Sequence, residues 1–369
     1  MSETKVYTAL GLMSGTSLDG VDAAILRTDG ERILGFGPTS SLEYDHEDLV
    51  LKMSVSAALE WNFKGPPPNG FEAGSNYIDN KHAEVIYGLD FDVFDIDLIG
   101  YHGQTVLHLP AKDGKKGQTL QLGNGQVLAD EFGIPCVYDF RTADVEAGGQ
   151  GAPLAPIYHK ALVEYAGLDG ITAVLNLGGV GNVTLVGPDI LKATDTGPAN
   201  GPLDSWVQLK GHKYDPGGDI SRDGAVDFAR VESWLSADFF SRPTPRSADR
   251  YDFDVIPDMR DMSLKDGAAT LCAFTVLSVK KSLAQLGPKP ERVIVCGGGR
   301  HNQTIMTMLS VELNRPVMPA EYVGWDSDMI EAQAFAYLAV RSKLGLQISF
   351  PETTGVPKPM TGGRLVNPQ

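Results

Sequence analysis

Several stretches of the chain bring acidic, hydroxyl and glycine residues together where an apolar run stops. The first is GLMSGTSLDGVDAAIL at 11–26, whose central turn is small, polar and acidic. Backbone N–H groups and hydroxyls in such a turn form a donor surface suited to phosphate oxygens. The carboxylates of Asp19 and Asp22 would repel phosphate unless Mg²⁺ lay between them, since this ion binds carboxylates and phosphates together. A plain hairpin turn is the simpler alternative, and no Gly-Lys-Ser/Thr of a Walker A loop follows.

Two further glycine-rich turns lie in the second half of the chain. NLGGVGN at 176–182 suits either a second phosphate clamp or a tight turn between core strands. CGGGRHN at 296–302 ends an apolar strand and would let a flat ligand such as adenine lie on the backbone. This segment matches the dinucleotide-binding motif poorly, because its glycines are consecutive. Glu321 is also only a weak candidate for the acidic residue that should follow that motif.

Ionisable residues lie beside these turns. TDTGPAN at 194–200 places Asp195 just before a Gly-Pro break and a helix start. An Asp on a rigid turn can act as a general base, although a helix N-cap is the alternative role. His102 and Arg141 lie where strands are expected to end, the usual position of ligand groups in open α/β sheets. Arg141 could bind a carboxylate or phosphate with two hydrogen bonds, whereas a lone histidine is more often structural.

Glu331 lies in a helical segment rich in Ala and Phe. A carboxylate beside such an apolar stripe is either a solvated edge or a ligand contact. The sequence around Glu331 leaves both interpretations open.

Length and composition limit the functions that are possible. The chain has 369 residues, 42% of them apolar, which is enough for two domains with a sizeable core. The net charge of −16 argues against a nucleic-acid partner, while a small anionic ligand stays possible. Three widely spaced cysteines indicate core thiols in a reducing compartment. We expect no membrane span and no secretory signal.

The elements that would position these residues mix strands and helices throughout, which indicates an α/β fold. Strand–turn–strand patterns at 5–28 and 171–187 suggest two related halves. The other expected elements are a helix at 49–61, a loop at 64–70, a strand at 95–105 that runs into a polar turn, a helix and strand at 126–140, a loop and helix at 192–209, a helix at 267–287, a strand, turn and helix at 291–309, and an amphipathic helix at 326–343. The Gly- and Pro-rich segment 141–156 is expected to cross into a second domain.

In order along the chain, these segments resemble the anhydro-N-acetylmuramic acid kinase family. The similarity spans nearly the whole chain and is carried by GLMSGTSLDGVD, HGQT, DFRTADVEAGGQGAPLAP, NLGGVGN, DTGPAN, CGGGRHN and EAQAFAYLA. It implies an actin-like ATPase fold, with two ribonuclease-H-like domains and an interdomain nucleotide cleft. We expect domain I at 1–140 plus 345–369, and domain II at 141–344.

The resemblance also implies an activity. ATP would phosphorylate the 6-oxygen of 1,6-anhydro-N-acetylmuramic acid while water opens the anhydro bridge at carbon 1, giving N-acetylmuramic acid 6-phosphate and ADP. The family acts in peptidoglycan recycling in the cytoplasm, and a homodimer is expected. Asp195 matches the catalytic Asp, and a base at this point would accelerate attack by water about 10²- to 10⁴-fold.

The resemblance assigns further residues to ATP, Mg²⁺ and the sugar. The expected ATP-binding residues are Gly15, Thr16, Ser17, Leu18, Asp19, Gly20, Val21 and Asp22 in the opening turn, Gly178 and Gly179 across the phosphates, and Gly297 and Gly298 beside the adenosine. Asp19 is expected to face Mg²⁺ through water. The expected sugar-binding residues are His102, Gln104, Arg141 and Glu331, with Arg141 alternatively at the muramic lactyl carboxylate.

The chain departs from the family pattern at two residues, and two other functions stay open. Ala199 replaces an expected Gly in DTGPAN, so the backbone there should be helical rather than at positive φ. Tyr101 stands where a smaller residue is common. A levoglucosan kinase would share the fold and the coupled ring opening, and a nucleotide-gated binding protein would lack the sugar chemistry.

Overall fold

A computed structural model describes residues 5–15, 20–44, 53–54, 57, 61, 70–92, 95–109, 117–248 and 250–369. The chain divides into two compact units. The first comprises Met1–Tyr165 and Met329–Gln369, and the second comprises Ala166–Asp328. The predicted helix at 49–61 lies mostly outside the described residues, as does nearly all of the predicted loop at 64–70.

The described residues contain twelve strands. They are β1 (Tyr7–Ser14), β2 (Gly20–Thr28), β3 (Ile33–Glu43), β4 (Leu98–Leu109), β5 (Gln118–Leu122), β6 (Cys136–Tyr138), β7 (Thr172–Leu177), β8 (Val180–Gly187), β9 (Ile190–Pro198), β10 (Arg292–Cys296), β11 (Val317–Pro319) and β12 (Arg364–Val366).

The same residues contain ten α-helices. They are α1 (Phe71–Tyr87), α2 (Gly125–Phe132), α3 (Thr142–Glu146), α4 (Pro156–Tyr165), α5 (Asn200–Leu209), α6 (Asp219–Arg222), α7 (Phe228–Trp234), α8 (Leu264–Leu286), α9 (Gln303–Leu313) and α10 (Ile330–Lys343). Short 3₁₀ turns lie at Pro216–Gly218, Asp238–Ser241, Arg250–Phe253, Ile256–Met259, Gly298–His301 and Ala320–Val323.

The two units repeat one strand order. In the first, β3, β2 and β1 form an antiparallel meander, and β4 and then β6 add to β1 in parallel. In the second, β9, β8 and β7 form the meander, and β10 and β11 add in parallel. The first sheet also carries β5 beside β4 and the antiparallel β12 at its edge. The predicted α/β class and the two related halves are therefore confirmed.

Helix α10 lies directly against the backbone of the first sheet. A Cβ atom on Gly11 would lie 1.8 Å from the carbonyl oxygen of Ala332, and one on Gly100 would lie 2.1 Å from that of Phe335. Because the helix touches the sheet so closely, it is buried along nearly its whole length. The sequence predicted an amphipathic helix here, and that expectation was wrong. Only Glu331 is exposed within Ile330–Val340.

Helix α8 forms the centre of the second unit. Its buried residues pack with the apolar side chains of β7, β8 and α5, including Trp206, and with Phe240 of the 3₁₀ turn at Asp238–Ser241. The three cysteines, Cys136, Cys272 and Cys296, are all buried, as predicted. Within the described residues, no helix is both long and apolar enough to cross a membrane.

The unit boundaries differ from those expected. Segment 141–156 does not lead into the second unit, because α3 and α4 both belong to the first. Helix α10 also belongs to the first unit, since it packs on β1 and β4. The boundaries at 165/166 and 328/329 therefore replace those that the sequence suggested at 140/141 and 344/345.

Two predicted turns or loops are strand instead. Strand β4 continues through 101–105, where a turn was expected, and Gly103 accommodates this with a φ of 71°. Residues 190–198 form β9 rather than a loop, because they pair with β8 in a ladder. Ala199 has φ −130° and ψ −115°, so φ is negative as expected but the backbone is not helical.

The contact of α10 with the sheet predicts which glycines the fold requires. Gly100→Ala should lower the free energy of unfolding by roughly 3 kcal/mol or more, because the new methyl group meets a backbone carbonyl that cannot rotate away. Gly35→Ala in β3 is the matched control, since the nearest atom to its Cβ is 4.0 Å away. Urea unfolding of both variants measures the difference. Equal stability of the two variants would contradict the close approach.

Candidate active site

The carboxyl end of β1 lies beside the middle of β4 in the first unit, where the opening turn starts. Ser14 pairs with Gln104 across the two strands. The Ser14 hydroxyl donates to the carbonyl of Gly103 at 2.9 Å, and the Gln104 amide donates to the carbonyl of Gly15 at 2.7 Å. Gln104 therefore contacts the opening turn itself, on which the family's phosphate loop was predicted.

The rest of the opening turn is described only in part. Thr16, Ser17, Leu18 and Asp19 lie outside the described residues. Gly20, Val21 and Asp22 begin β2, with Val21 buried. The Asp22 carboxylate accepts a hydrogen bond from the Ser41 hydroxyl at 2.7 Å. The roles expected for these residues toward ATP and Mg²⁺ stay predictions.

His102 and Arg141 are in direct contact. The Nε and Nη2 atoms of Arg141 lie 3.1 Å and 3.0 Å from Nε2 of His102. A guanidinium group can only donate, so Nε2 must accept and the ring hydrogen must be on Nδ1. Nδ1 then donates to the carbonyl of Ser14 at 3.2 Å. The two protein contacts therefore determine the tautomer of His102 and orient Arg141.

His102 is held in a neutral form by its surroundings. Its side chain is 4% exposed, and its ring lies against that of Phe335 with centroids 4.5 Å apart. Burial, and second the positive charge of Arg141, lower the pKa of His102 well below its usual range. A ring that is neutral and bonded at both nitrogens is suited to positioning Arg141 rather than to transferring protons.

The loop that carries Arg141 is fastened by a buried carboxylate. Arg141 Nη1 donates to the carbonyl of Gly151 at 2.7 Å. Asp144 accepts from the Gly151 N–H and from the Thr354 hydroxyl, each at 2.6 Å. Asp144 therefore ties the 141–151 loop to the C-terminal segment.

A cavity of about 180 Å³ opens beside His102. Its polar lining includes Thr119, Gln121, Asp139 and Thr142. Asp139 adopts a φ of 55°, a conformation that Asp tolerates better than most residues. The cavity therefore places these hydrogen-bonding groups beside His102, which in turn contacts Arg141.

Glu331 lies in the first turn of α10 and is exposed. It precedes by about one helical turn the Phe335 ring that contacts His102. Gln333, in between, is buried and accepts from the Tyr158 hydroxyl at 2.8 Å. Glu331 therefore lies about one helical turn from the residue of α10 that contacts His102. The expected role of Glu331 toward the sugar stays a prediction.

In the second unit, Asp195 lies in β9 and is 8% exposed. Its backbone N–H donates to the carbonyl of Arg246 at 3.0 Å. Its carboxylate Oδ2 accepts from the N–H of Ala248 at 2.8 Å. The sequence predicted neither partner, because nothing local to 194–200 indicates which segment lies against this edge of β9.

The Gly178–Gly179 turn between β7 and β8 is tied to the start of α5. The N–H groups of Asn200 and Gly201 donate to the carbonyls of Gly178 and Gly179 at 2.8 Å and 3.1 Å. Gly179 is exposed, and a Cβ atom there would meet nothing within 4 Å. The exposed backbone of the turn lies next to the start of α5, whose first N–H groups are already bonded to the carbonyls of the turn.

The Gly297–Gly298 turn follows β10. Gly297 has a φ of 75°, and a Cβ atom on it would lie 2.3 Å from Oδ1 of Asn176. Gly298 is exposed. Arg300 is buried and secures the turn, since it donates to the Gly297 carbonyl at 3.1 Å and pairs with Glu321 and Asp328 at 2.7 Å and 2.9 Å. Glu321, the weak candidate for a ribose-binding acid, is thus a partner of Arg300.

The sequence is similar to one family along almost its whole length. The family model for anhydro-N-acetylmuramic acid kinase matches residues 7–368. The anhydro-N-acetylmuramic acid kinase of Phenylobacterium zucineum is 48% identical over 369 residues, covering 98% of this chain and 99% of its own. That of Rhizobium rhizogenes is 46% identical over 366 residues, covering 97% and 98%.

A more distant likeness exists to a solved structure, the activator of the 2-hydroxyisocaproyl-CoA dehydratase from Clostridium difficile with bound ADPNP. It is 13% identical, has a TM-score of 0.44, and covers 90% of this chain and 94% of that chain. This likeness is too distant to inform the site.

The contacts of His102 predict its behaviour with pH. His102 should stay neutral, with its hydrogen on Nδ1, at the pH where an ordinary histidine becomes protonated, because protonation would place a second buried charge beside Arg141. Nitrogen-15 NMR of labelled histidine measures the tautomer and the charge, and His102→Gln identifies the signals. A titration of these signals near pH ~6.5, the ordinary value for histidine, would contradict this arrangement.

Proposed function

Because this chain belongs to the anhydro-N-acetylmuramic acid kinase family, we propose that it phosphorylates 1,6-anhydro-N-acetylmuramic acid with ATP while water opens the anhydro bridge. Membership in the family makes the protein a kinase that acts on a small sugar and ATP. The coupled ring opening, the products N-acetylmuramic acid 6-phosphate and ADP, and a role in peptidoglycan recycling belong to the proposal.

Asp195 is the base in this proposal. Water attacks carbon 1, and Asp195 accepts its proton as the bond from carbon 1 to the 6-oxygen breaks. The released 6-oxygen then attacks the γ-phosphorus, and ADP leaves with the electron pair of the broken bond. The supporting observation is that the buried Asp195 carboxylate is oriented by the Ala248 N–H at 2.8 Å, because an oriented carboxylate can take a proton without first reorganising.

The glycine turns are proposed to hold the nucleotide. Gly178 and Gly179 would lie across the phosphates, as the family resemblance implies, and the support for this is that the backbone of Gly179 is exposed. Gly297 and Gly298 lie in a turn braced by the buried Arg300, so that the backbone could support an adenosine without moving. Gly15 would contribute at the opening turn.

Mg²⁺ is proposed as the companion of ATP. Within the described ranges, no group of three or more His, Cys, Asp or Glu side chains could hold a metal. With ATP, Mg²⁺ takes one or two carboxylates together with waters and phosphates. When bound, it would neutralise charge on the triphosphate. Asp19 is the proposed outer ligand, and Asp22 lies three residues further on.

Arg141 is proposed to bind the sugar, assisted by Gln104 and Glu331. Its charge and its orientation by His102 suit a carboxylate or phosphate oxygen. The lactyl carboxylate of the muramic sugar is one such group. An anhydroglucose carries no carboxylate, so an oriented cation at this point favours the muramic substrate. A cytoplasmic homodimer completes the proposal.

The role of Asp195 predicts the effect of a single isosteric change. Asp195→Asn should lower kcat by about 10²- to 10⁴-fold, because the amide cannot accept a proton from water. ATP and sugar binding, measured by calorimetry, should change little. Asp189→Asn, an exposed residue between β8 and β9, is the matched control with normal turnover. Loss of ATP binding in Asp195→Asn would assign Asp195 to the nucleotide instead.

The proposed reaction also predicts where an isotope label goes. Turnover in oxygen-18 water should give a 6-phosphorylated sugar with the label at carbon 1, because water supplies that oxygen and the bridge oxygen goes to phosphorus. Mass spectrometry of the product locates the label. Rates on the muramic and glucose anhydro sugars are compared in the same assay. Efficient turnover of levoglucosan without turnover of the muramic sugar would overturn the substrate assignment.

A further inference from the structure

One edge of β9 is covered by an irregular segment, Arg246–Ala248, rather than by a strand. Two hydrogen bonds join this segment to Asp195, one from the Asp195 N–H to the Arg246 carbonyl and one from the Ala248 N–H to the Asp195 carboxylate. The Arg246 N–H also donates to the hydroxyl of Thr194 at 3.2 Å. The orientation of the Asp195 carboxylate therefore depends on where this segment lies.

The side chain of Arg246 anchors the segment. It is 4% exposed and lies 4.6 Å from the ring centroid of Phe239. Its guanidinium donates to Gln285 Oε1 at 2.7 Å and to the carbonyl of Arg242 at 2.8 Å. It also donates to the Ser282 hydroxyl at 2.9 Å. These acceptors are all neutral, so the hydrogen bonds hold the group in place without balancing its charge.

The charge of Arg246 acts on Asp195. Burial lowers the pKa of Arg246 to about 10, the carboxylate of Asp195 opposes that effect, and Arg242 adds to it. Arg246 is therefore still protonated at neutral pH. Attraction between two charges is mutual, so the guanidinium favours the ionised form of the Asp195 carboxyl.

Among the described residues, the groups that pair with Asp195 across the sheet or bond the Arg246 side chain are neutral. Asn182, opposite Asp195 on β8, is neutral, as are the α8 residues that bond Arg246. Arg242 is paired with Asp238 at 3.0 Å. On α8, Lys281 directs its ammonium to the carbonyl of Leu235 at 3.1 Å.

We propose that Arg246 is a positioning residue for Asp195, holding the 246–248 segment against β9 and keeping the carboxylate ionised. The inference rests on the proposed function, in which Asp195 is the base, because a protonated carboxyl group could not accept a proton from water. Arg246 acts only through Asp195 and does not touch the substrate.

The test separates the charge of Arg246 from its hydrogen bonds. Arg246→Met removes both, so the acidic midpoint of the pH profile of kcat should move up by roughly one pH unit or more, with partial recovery of kcat at high pH. Arg246→Lys keeps the charge and loses the planar fork, so kcat should fall at all pH values with the midpoint unmoved. KM for ATP should stay unchanged in both variants.

The matched control is Arg242→Met, which removes a neighbouring cation that bonds Asp238 instead. Its pH profile should match that of the parent protein. Circular dichroism and thermal unfolding establish that each variant is folded. If Arg246→Met does not fold, Gln285→Leu and Arg246→Lys test the positioning role instead. Each variant removes hydrogen bonds but keeps the positive charge, so kcat should fall while the acidic midpoint of its pH profile stays unchanged. Unchanged kcat in these two variants overturns the proposal.

A readout without turnover distinguishes this inference from the proposed function. Carbon-13 NMR follows ionisation of the Asp195 carboxyl, whose signal is identified by its loss in Asp195→Asn. A folded Arg246→Met variant in which neither this ionisation nor the kcat profile moves overturns the role of Arg246. If the ionisation moves but Asp195→Asn retains full turnover, the coupling between the two residues stands and the assignment of Asp195 as the base fails.

Discussion

The approach of α10 to the backbone of β1 and β4 is the constraint on which the site of the first unit depends. Gly11 and Gly100 leave no side chain between helix and sheet, so the helix sits close enough for the Phe335 ring to contact His102. With that face covered, the two ring nitrogens of His102 face Ser14 and Arg141. The packing of Phe335 against His102 thereby determines where the guanidinium of Arg141 lies.

In the second unit, Asp195 is held by an irregular segment rather than by a helix packed on the sheet. Asp195 is on the outer strand of its sheet, where one side lacks a strand partner. The Arg246–Ala248 segment supplies the missing hydrogen bonds, and a buried guanidinium anchored on α8 keeps the segment there. A buried charge is destabilising unless it is hydrogen-bonded and balanced by an opposite charge. The guanidinium of Arg246 has hydrogen bonds to α8, and the Asp195 carboxylate supplies the opposite charge.

Both units thus present polar groups on the same kind of sheet, an antiparallel meander extended by parallel strands. Phosphoryl transfer consists mostly of positioning and charge neutralisation, and each group described above is held by packing or by hydrogen bonds to the backbone. Membership in the anhydro-N-acetylmuramic acid kinase family makes the protein a kinase, and the roles of these groups in its reaction belong to the proposal. The held carboxylate, the oriented cation and the exposed glycine turns are the features that the proposed reaction requires.

Much of this protein could be predicted from the sequence because local patterns determine the type of an element. The hairpins around 11–26 and 176–182, the long helix α8 and the glycine turn after β10 all follow from runs of apolar residues broken by glycine. The motifs also identified the family. The helix expected at 326–343 is present, but its predicted amphipathic character was wrong, because the helix is buried along nearly its whole length.

Only the tertiary structure decided which distant groups meet. Residues 190–198 contain a Gly-Pro break typical of a loop, yet they form a strand because β8 pairs with them along their length. Ala248, whose N–H donates to the Asp195 carboxylate, lies 53 residues further along the chain than Asp195. Arg141, which bonds His102, lies 39 residues further along than His102. No local pattern encodes such pairs, because a hydrogen bond between segments depends on how the elements between them pack.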